Sequence, residues 1–133
     1  MVTKVLIVDD SRTYREVVRA YLEMEGIDCV CAGGTDEGLA LAIQEGPDLV
    51  ITDMSMPGMS GLELCRQLKA NFKTSNTPII MITSSRGEDT ARAAQEAGVD
   101  LLLWKPFPRE LVMEAVNRFL PPRPADLATH YDA

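Results

Sequence analysis

Five short aliphatic runs, each too brief for a helix, recur along the whole chain: KVLIV (Lys4–Val8), DCVCA (Asp28–Ala32), DLVIT (Asp48–Thr52), IIMIT (Ile79–Thr83) and LLLW (Leu101–Trp104). Between them lie stretches with helical spacing and helical punctuation. Ser11 can cap a helix reaching about Met24, with Tyr14, Val17, Val18, Tyr21 and Leu22 along one side and Gly26 as its stop. Gly33-Gly34 turns the chain, and Thr35 is placed to cap Asp36–Glu45, whose stripe is Leu39, Ala42 and Ile43. Gly46-Pro47 ends that segment. Ser60 can cap a third helix to about Lys69, turning Leu62, Leu64, Cys65 and Leu68 inward. A fourth stops at Gly98, and Pro108 suits the first turn of a last one ending near Leu120.

Strict strand–helix alternation implies an all-parallel sheet covered by helices on both faces. Right-handed crossovers leave few ways to wind it. The expected architecture is a doubly wound α/β fold, flavodoxin-like (βα)5, with five strands in the order 2-1-3-4-5. The 133 residues suit one domain. Residues 1–120 carry the pattern, and 121–133, with consecutive prolines, read as a terminal tail or the start of a linker.

Composition narrows the partners. A formal net charge of -7 argues against binding nucleic acid or an anionic membrane through this domain. No apolar stretch approaches membrane-spanning length, and Lys4 and Asp9-Asp10 break any signal-peptide pattern at the opening. Cys29, Cys31 and Cys65 show no disulfide or zinc spacing, and His130 is the lone histidine. The cysteines are expected as small buried hydrophobes in a reducing cytoplasm.

In an open parallel sheet the carboxyl ends of the strands face one crevice, where ligands bind. Asp9-Asp10 follow the first strand, Asp53 the third, Thr83 ends the fourth and Lys105-Pro106 follow the fifth. Each has an ordinary explanation as a helix cap, a turn residue or a solvated lysine. Their joint placement points elsewhere. A like-charged pair at 4 Å costs about 4 kcal/mol at an effective dielectric of 20, so converging carboxylates call for a divalent cation and a lysine. Hard oxygen ligands suit Mg²⁺, with Mn²⁺ as a substitute. Asp53 would be an aspartyl nucleophile toward a phosphoryl group, Lys105 its counter-charge and Thr83 a hydroxyl donor.

With these residues in place, the chain resembles the receiver domain of bacterial two-component response regulators from Lys4 to about Leu120. Asp9-Asp10, DMSMPGMSGLEL (Asp53–Leu64), Thr83 and KPF (Lys105–Phe107) fall in family order. The resemblance implies that Asp53 accepts phosphate from a sensor histidine kinase or a histidine phosphotransfer protein. It implies that Asp9, Asp10, Asp53 and the backbone carbonyl of Ser55 hold Mg²⁺, that Lys105 contacts the phosphoryl group, and that the Lys105-Pro106 bond is cis. Such a domain catalyses only its own phosphorylation and dephosphorylation. It passes the signal to an output domain or target protein, in some cases through a phosphorylation-linked homodimer.

Two positions depart from the family pattern. Leu102 stands three residues before the lysine, where the family usually has Tyr or Phe, and Trp104 directly precedes Lys105. By strand alternation Leu102 and Trp104 share a face. Thr83, Leu102 and Trp104 are therefore the expected switch residues, with a large edge-strand core residue as the plain alternative for Trp104. Ser84 and Ser85 occupy the place where small residues would admit the phosphoryl group and an attacking water. Competing classes fit less well. An aspartyl phosphohydrolase needs a general acid where Ser55 stands, and a flavin-binding protein needs a hydroxyl- and glycine-rich loop where Asp9-Asp10 and Arg12 stand. A purely structural module would not need the acid–lysine set.

Overall fold

The computed structural model describes residues 3–56, 58–85 and 87–121. The expectations for His130 and for the tail beyond Pro121 lie outside the described residues. Chain order runs β1 (Lys4–Val8), α1 (Arg12–Glu23), β2 (Asp28–Ala32), α2 (Thr35–Glu45), β3 (Leu49–Asp53), α3 (Gly61–Ala70), β4 (Ile79–Thr83), α4 (Glu88–Ala97), β5 (Leu101–Trp104) and α5 (Arg109–Phe119). The strands form one five-stranded sheet in the order β2-β1-β3-β4-β5, and every pair is parallel.

Strand alternation divides the core into two layers. Val5, Ile7, Leu49, Ile51, Ile80 and Ile82 pack with Val18 and Leu22 of α1 and with Val112 and Val116 of α5. Leu6, Val8, Val50, Ile79 and Met81 pack on the other side with Ala42 of α2, Leu64, Cys65 and Leu68 of α3, and Ala94 and Ala97 of α4. Residues buried on both faces explain why the strands read as continuous apolar runs. Each fully buried Leu or Ile contributes about 1.5–3 kcal/mol over leaving it exposed. Helices begin where the hydroxyl caps predict: Ser11 Oγ accepts from Tyr14 N at 3.2 Å, and Ser60 Oγ accepts from Glu63 N at 3.2 Å.

Several local expectations change. Thr35 does not cap α2. Gly34 is the capping residue, and the buried Thr35 hydroxyl donates to the Met59 carbonyl at 3.1 Å, tying α2 to the β3–α3 loop. Strand β3 starts and ends one residue later than expected, because the Asp48 carboxylate accepts from Lys4 N at 2.9 Å while Asp53 pairs with Ile82. Pro108 sits one place before α5, in extended conformation, instead of inside its first turn. Val17 is 41% exposed, on the outer side of α1.

Of the cysteines, only Cys65 is fully buried; Cys29 and Cys31 are half-buried because β2 is an edge strand. Burial still pushes the Cys29 thiol up to about 12 and the Cys65 thiol to about 11. Since the thiolate is the nucleophile, alkylation of both in the native protein at pH 8 should be far slower than in the unfolded chain. Mass spectrometry after timed iodoacetamide labelling checks this, and rapid native labelling at Cys65 would contradict the packing.

Candidate functional site

Strand order decides which ends become neighbours. Strand β1 lies between β2 and β3, so Asp9 and Asp10, just past β1, stand beside Asp53, the last residue of β3. Carboxylate oxygens of Asp9, Asp10 and Asp53 lie within 4.8 Å of one another. Asp9 is buried, Asp53 half-buried and Asp10 exposed. Lys105 Nζ lies 3.9 Å from Asp9 Oδ2 and 3.8 Å from Asp53 Oδ2. The Lys105-Pro106 peptide is cis, as the resemblance implies.

Backbone groups hold the two inner carboxylates in place. Ser11 N donates to Asp9 Oδ1 at 2.9 Å, and the nearby Ser55 and Met54 N–H groups ease the ionisation of Asp53, although the Met54 N–H donates to the Ile82 carbonyl at 2.9 Å. Even so, both carboxyls titrate above their ordinary value. Burial is the main cause for Asp53, opposed by Lys105 and by the Ser55 and Met54 N–H groups, with Asp10 adding repulsion. Asp9 is likewise raised first by burial, then relieved by the Ser11 N–H and raised again by Asp53. Such a cluster fits a divalent cation: three oxygen donors converge, two of them reluctant to ionise without added positive charge.

Thr83, expected as either a phosphoryl donor or a helix cap, does not cap α4, whose capping residue is Gly87. Its Oγ1 accepts from Ser85 N at 3.0 Å. Ser85 also bonds outward: its Oγ is 3.1 Å from Thr90 Oγ1, and its carbonyl accepts from Trp104 Nε1 at 3.1 Å. Trp104 is the register partner of Thr83 and is only partly buried, so it is not an enclosed core residue. Leu102 packs against the layer under α3 and α4. Ser55 and Ser84 are exposed at the mouth of the site.

Three contributors were missed in the sequence. Tyr14 places its ring under Lys105, with Nζ 4.0 Å from the ring centroid, and Phe107 meets that ring edge-on at 5.9 Å. Arg15 Nη1 donates to the Asp9 carbonyl at 2.6 Å. Gly61 lies so close to β3 that a Cβ there would collide with the Asp53 carbonyl oxygen. A glycine opening α3, directly after a good serine cap, was the available signal for the last. Nothing local marks the other two.

The chain matches the family model described as "Response regulator receiver domain" over residues 5–117. It is 43% identical over 117 residues to the phosphate regulon transcriptional regulatory protein PhoB of Pseudomonas aeruginosa, covering 86% of this chain and 51% of that protein. It is 42% identical to the transcriptional regulatory protein ResD of Bacillus subtilis, covering 84% and 45%. Protein PilH of Pseudomonas aeruginosa is 36% identical, covering 88% of this chain and 97% of PilH. Among solved structures, the chemotaxis protein CheY4 of Vibrio cholerae superposes with a TM-score of 0.86 at 31% identity, over 90% of this chain and 100% of that one. Fold and matches together make this a signalling domain of the phosphoacceptor type. The chain belongs to the response regulator receiver domain family, whose general function is to accept a phosphoryl group from a kinase. It spans about half the length of the two transcriptional regulators.

Two outcomes test this geometry. Because the folded Asp53 and Asp9 carboxyls titrate above 3.8, the metal-free protein binds protons more readily than the unfolded chain. Its stability therefore falls as pH rises from 3.8 through the raised native values, and the cost is complete above them. Asp53→Asn in EDTA at pH 7 should melt about 4 °C higher than the natural protein, the shift of roughly 1 kcal/mol in a domain this size. The gap should close as pH falls through that window; a variant melting lower at pH 7 would contradict the repulsion. Gly61→Ala should cost at least about 2 kcal/mol by forcing α3 off β3, read as a lowered midpoint in urea.

Proposed function

We propose that Asp53 is the phosphoacceptor. One observation carries this: the Asp53 carboxylate ends the central strand β3 with Asp9 and Asp10 oxygens within 4.8 Å and Lys105 Nζ at 3.8 Å. An Asp53 oxygen attacks the phosphorus of a phosphohistidine, the P–N bond breaks, and the histidine nitrogen leaves with its electron pair. Lys105 takes one phosphoryl oxygen as a charge-assisted partner, and the Thr83 hydroxyl donates to another. Asp9, Asp10, Asp53 and the Ser55 carbonyl would hold Mg²⁺, or Mn²⁺ in its place. When bound, the ion supplies positive charge that offsets the carboxylates and the transferring oxygens. The domain acts catalytically only on itself, in its own phosphorylation and hydrolysis.

The phosphodonor is a sensor histidine kinase or a histidine phosphotransfer protein in the cytoplasm, and the reader is an output domain or separate target. Residues 1–120 form the receiver, and 121–133 are a tail or linker start. The net charge of -7 argues against nucleic acid or an anionic membrane as a partner of this domain. Phosphorylation shifts an existing equilibrium of the β4–α4 loop through Thr83, Leu102 and Trp104. Support for the switch comes from Ser85, which is bonded to Thr83 by its N–H and to Trp104 by its carbonyl.

With Mg²⁺ and acetyl phosphate, intact mass should show one added phosphoryl group, and Asp53→Asn should abolish it. Retained labelling in that variant would move the acceptor elsewhere. Beryllofluoride with Mg²⁺ should change the emission of Trp104, the single tryptophan; an unchanged spectrum would remove Trp104 from the switch.

A further inference from the structure

A lysine that contacts a phosphoryl group needs more than charge. Its four-carbon stem is flexible and its ammonium strongly hydrated, so left alone it would collapse onto the nearest carboxylate. A contact ion pair with Asp53 would form at about 2.7–2.9 Å and would occupy the oxygen that must attack phosphorus. Lys105 does not sit at that distance from either neighbour: it is 3.9 Å from Asp9 and 3.8 Å from Asp53. The third group touching the ammonium is the face of Tyr14, 4.0 Å away at its centroid.

The ring is itself held. Tyr14 lies on the first turns of α1, just after the Ser11 cap, so its backbone is set by the same loop that carries Asp9 and Asp10. Phe107 meets it at 78° with centroids 5.9 Å apart, the edge-on arrangement that aromatic pairs favour. Phe107 is two residues beyond Lys105, so the segment that delivers the ammonium also braces the ring that receives it.

We propose that Tyr14 is a positioning residue for Lys105. Its ring face holds the ammonium between Asp9 and Asp53 and short of a contact pair with either, which keeps an Asp53 oxygen available and leaves the charge where a phosphoryl oxygen arrives. The proposal rests on the assignment of Lys105 as the phosphoryl contact. It concerns the ring and not the hydroxyl, because the attraction of a cation to an aromatic face comes from the ring quadrupole.

The test uses the rate of phosphorylation by acetyl phosphate at saturating Mg²⁺. Tyr14→Leu and Tyr14→Met should each slow it roughly fivefold to tenfold, the loss expected of one partly desolvated cation–π contact, and Tyr14→Phe should restore it. Two aliphatic replacements guard against one that packs badly. Nuclear magnetic resonance should show the Lys105 ε-methylene shifted upfield by the ring in the natural protein and in Tyr14→Phe, and unshifted in Tyr14→Leu. In a Lys105→Ala background, itself slow, Tyr14→Leu should cause no further loss. If Lys105→Ala leaves the rate unchanged, the assignment of Lys105 falls and takes this proposal with it. If Lys105→Ala slows the reaction while Tyr14→Leu and Tyr14→Met do not, the positioning role alone is overturned. Equal slowing by Tyr14→Leu with and without Lys105 would also overturn it, since the tyrosine would then act through packing.

Discussion

Asp9, Asp10 and Asp53 bring three carboxylates within 4.8 Å of one another, two of them substantially withdrawn from water. Like charges that close repel by several kcal/mol even with considerable screening. Much of the surrounding structure can be understood as tolerance of that repulsion. The Ser11 N–H donates to the Asp9 carboxylate, and the Met54 and Ser55 N–H groups near Asp53 ease its ionisation. Lys105 crosses from the far edge of the sheet to stand beside Asp9 and Asp53. The cluster remains under-neutralised, and that residual demand for positive charge is what suits it to a cation.

The site is also tied mechanically to the surface. Ser85 is bonded to Thr83 behind it, to Thr90 at the start of α4, and to Trp104 on the edge strand. From Thr83 the bonds of Ser85 lead outward by two short routes, to Thr90 and to Trp104. On the opposite side, Tyr14 and Phe107 enclose the approach of Lys105. Lys105 is thus flanked by α1 and the β5–α5 loop, while the β4–α4 loop is bonded through Ser85 to Thr83, Thr90 and Trp104.

How much was legible beforehand depended on whether the cause was local. The strands and helices could be read because burial on both faces writes aliphatic runs, and hydroxyl caps and stop glycines mark helix ends. Ser11 and Ser60 cap as read. Thr35 does not, because a carbonyl from a loop distant in sequence claims its hydroxyl, and no local pattern records that competition. Val17 fits the helical stripe by spacing, yet its side of α1 meets no neighbouring layer and stays exposed. The strand-end acids, Thr83 and Lys105 were visible because parallel strands must send their ends to one crevice. Tyr14 and Arg15 looked like ordinary residues of an amphipathic helix.

The sequence by itself determined the alternation of elements, the parallel sheet that follows from it, and the chemical types delivered to its carboxyl edge. Those follow from periodicity and from termini, which are short-range properties. Tertiary structure decided the rest: that Lys105 stops 3.8 Å from Asp53 over a tyrosine ring, and that the carbonyl of Ser85 is bonded by Trp104. Each of those contacts joins segments distant along the chain. Their separations are set by strand order, register and packing against shared layers, which no single stretch of sequence contains.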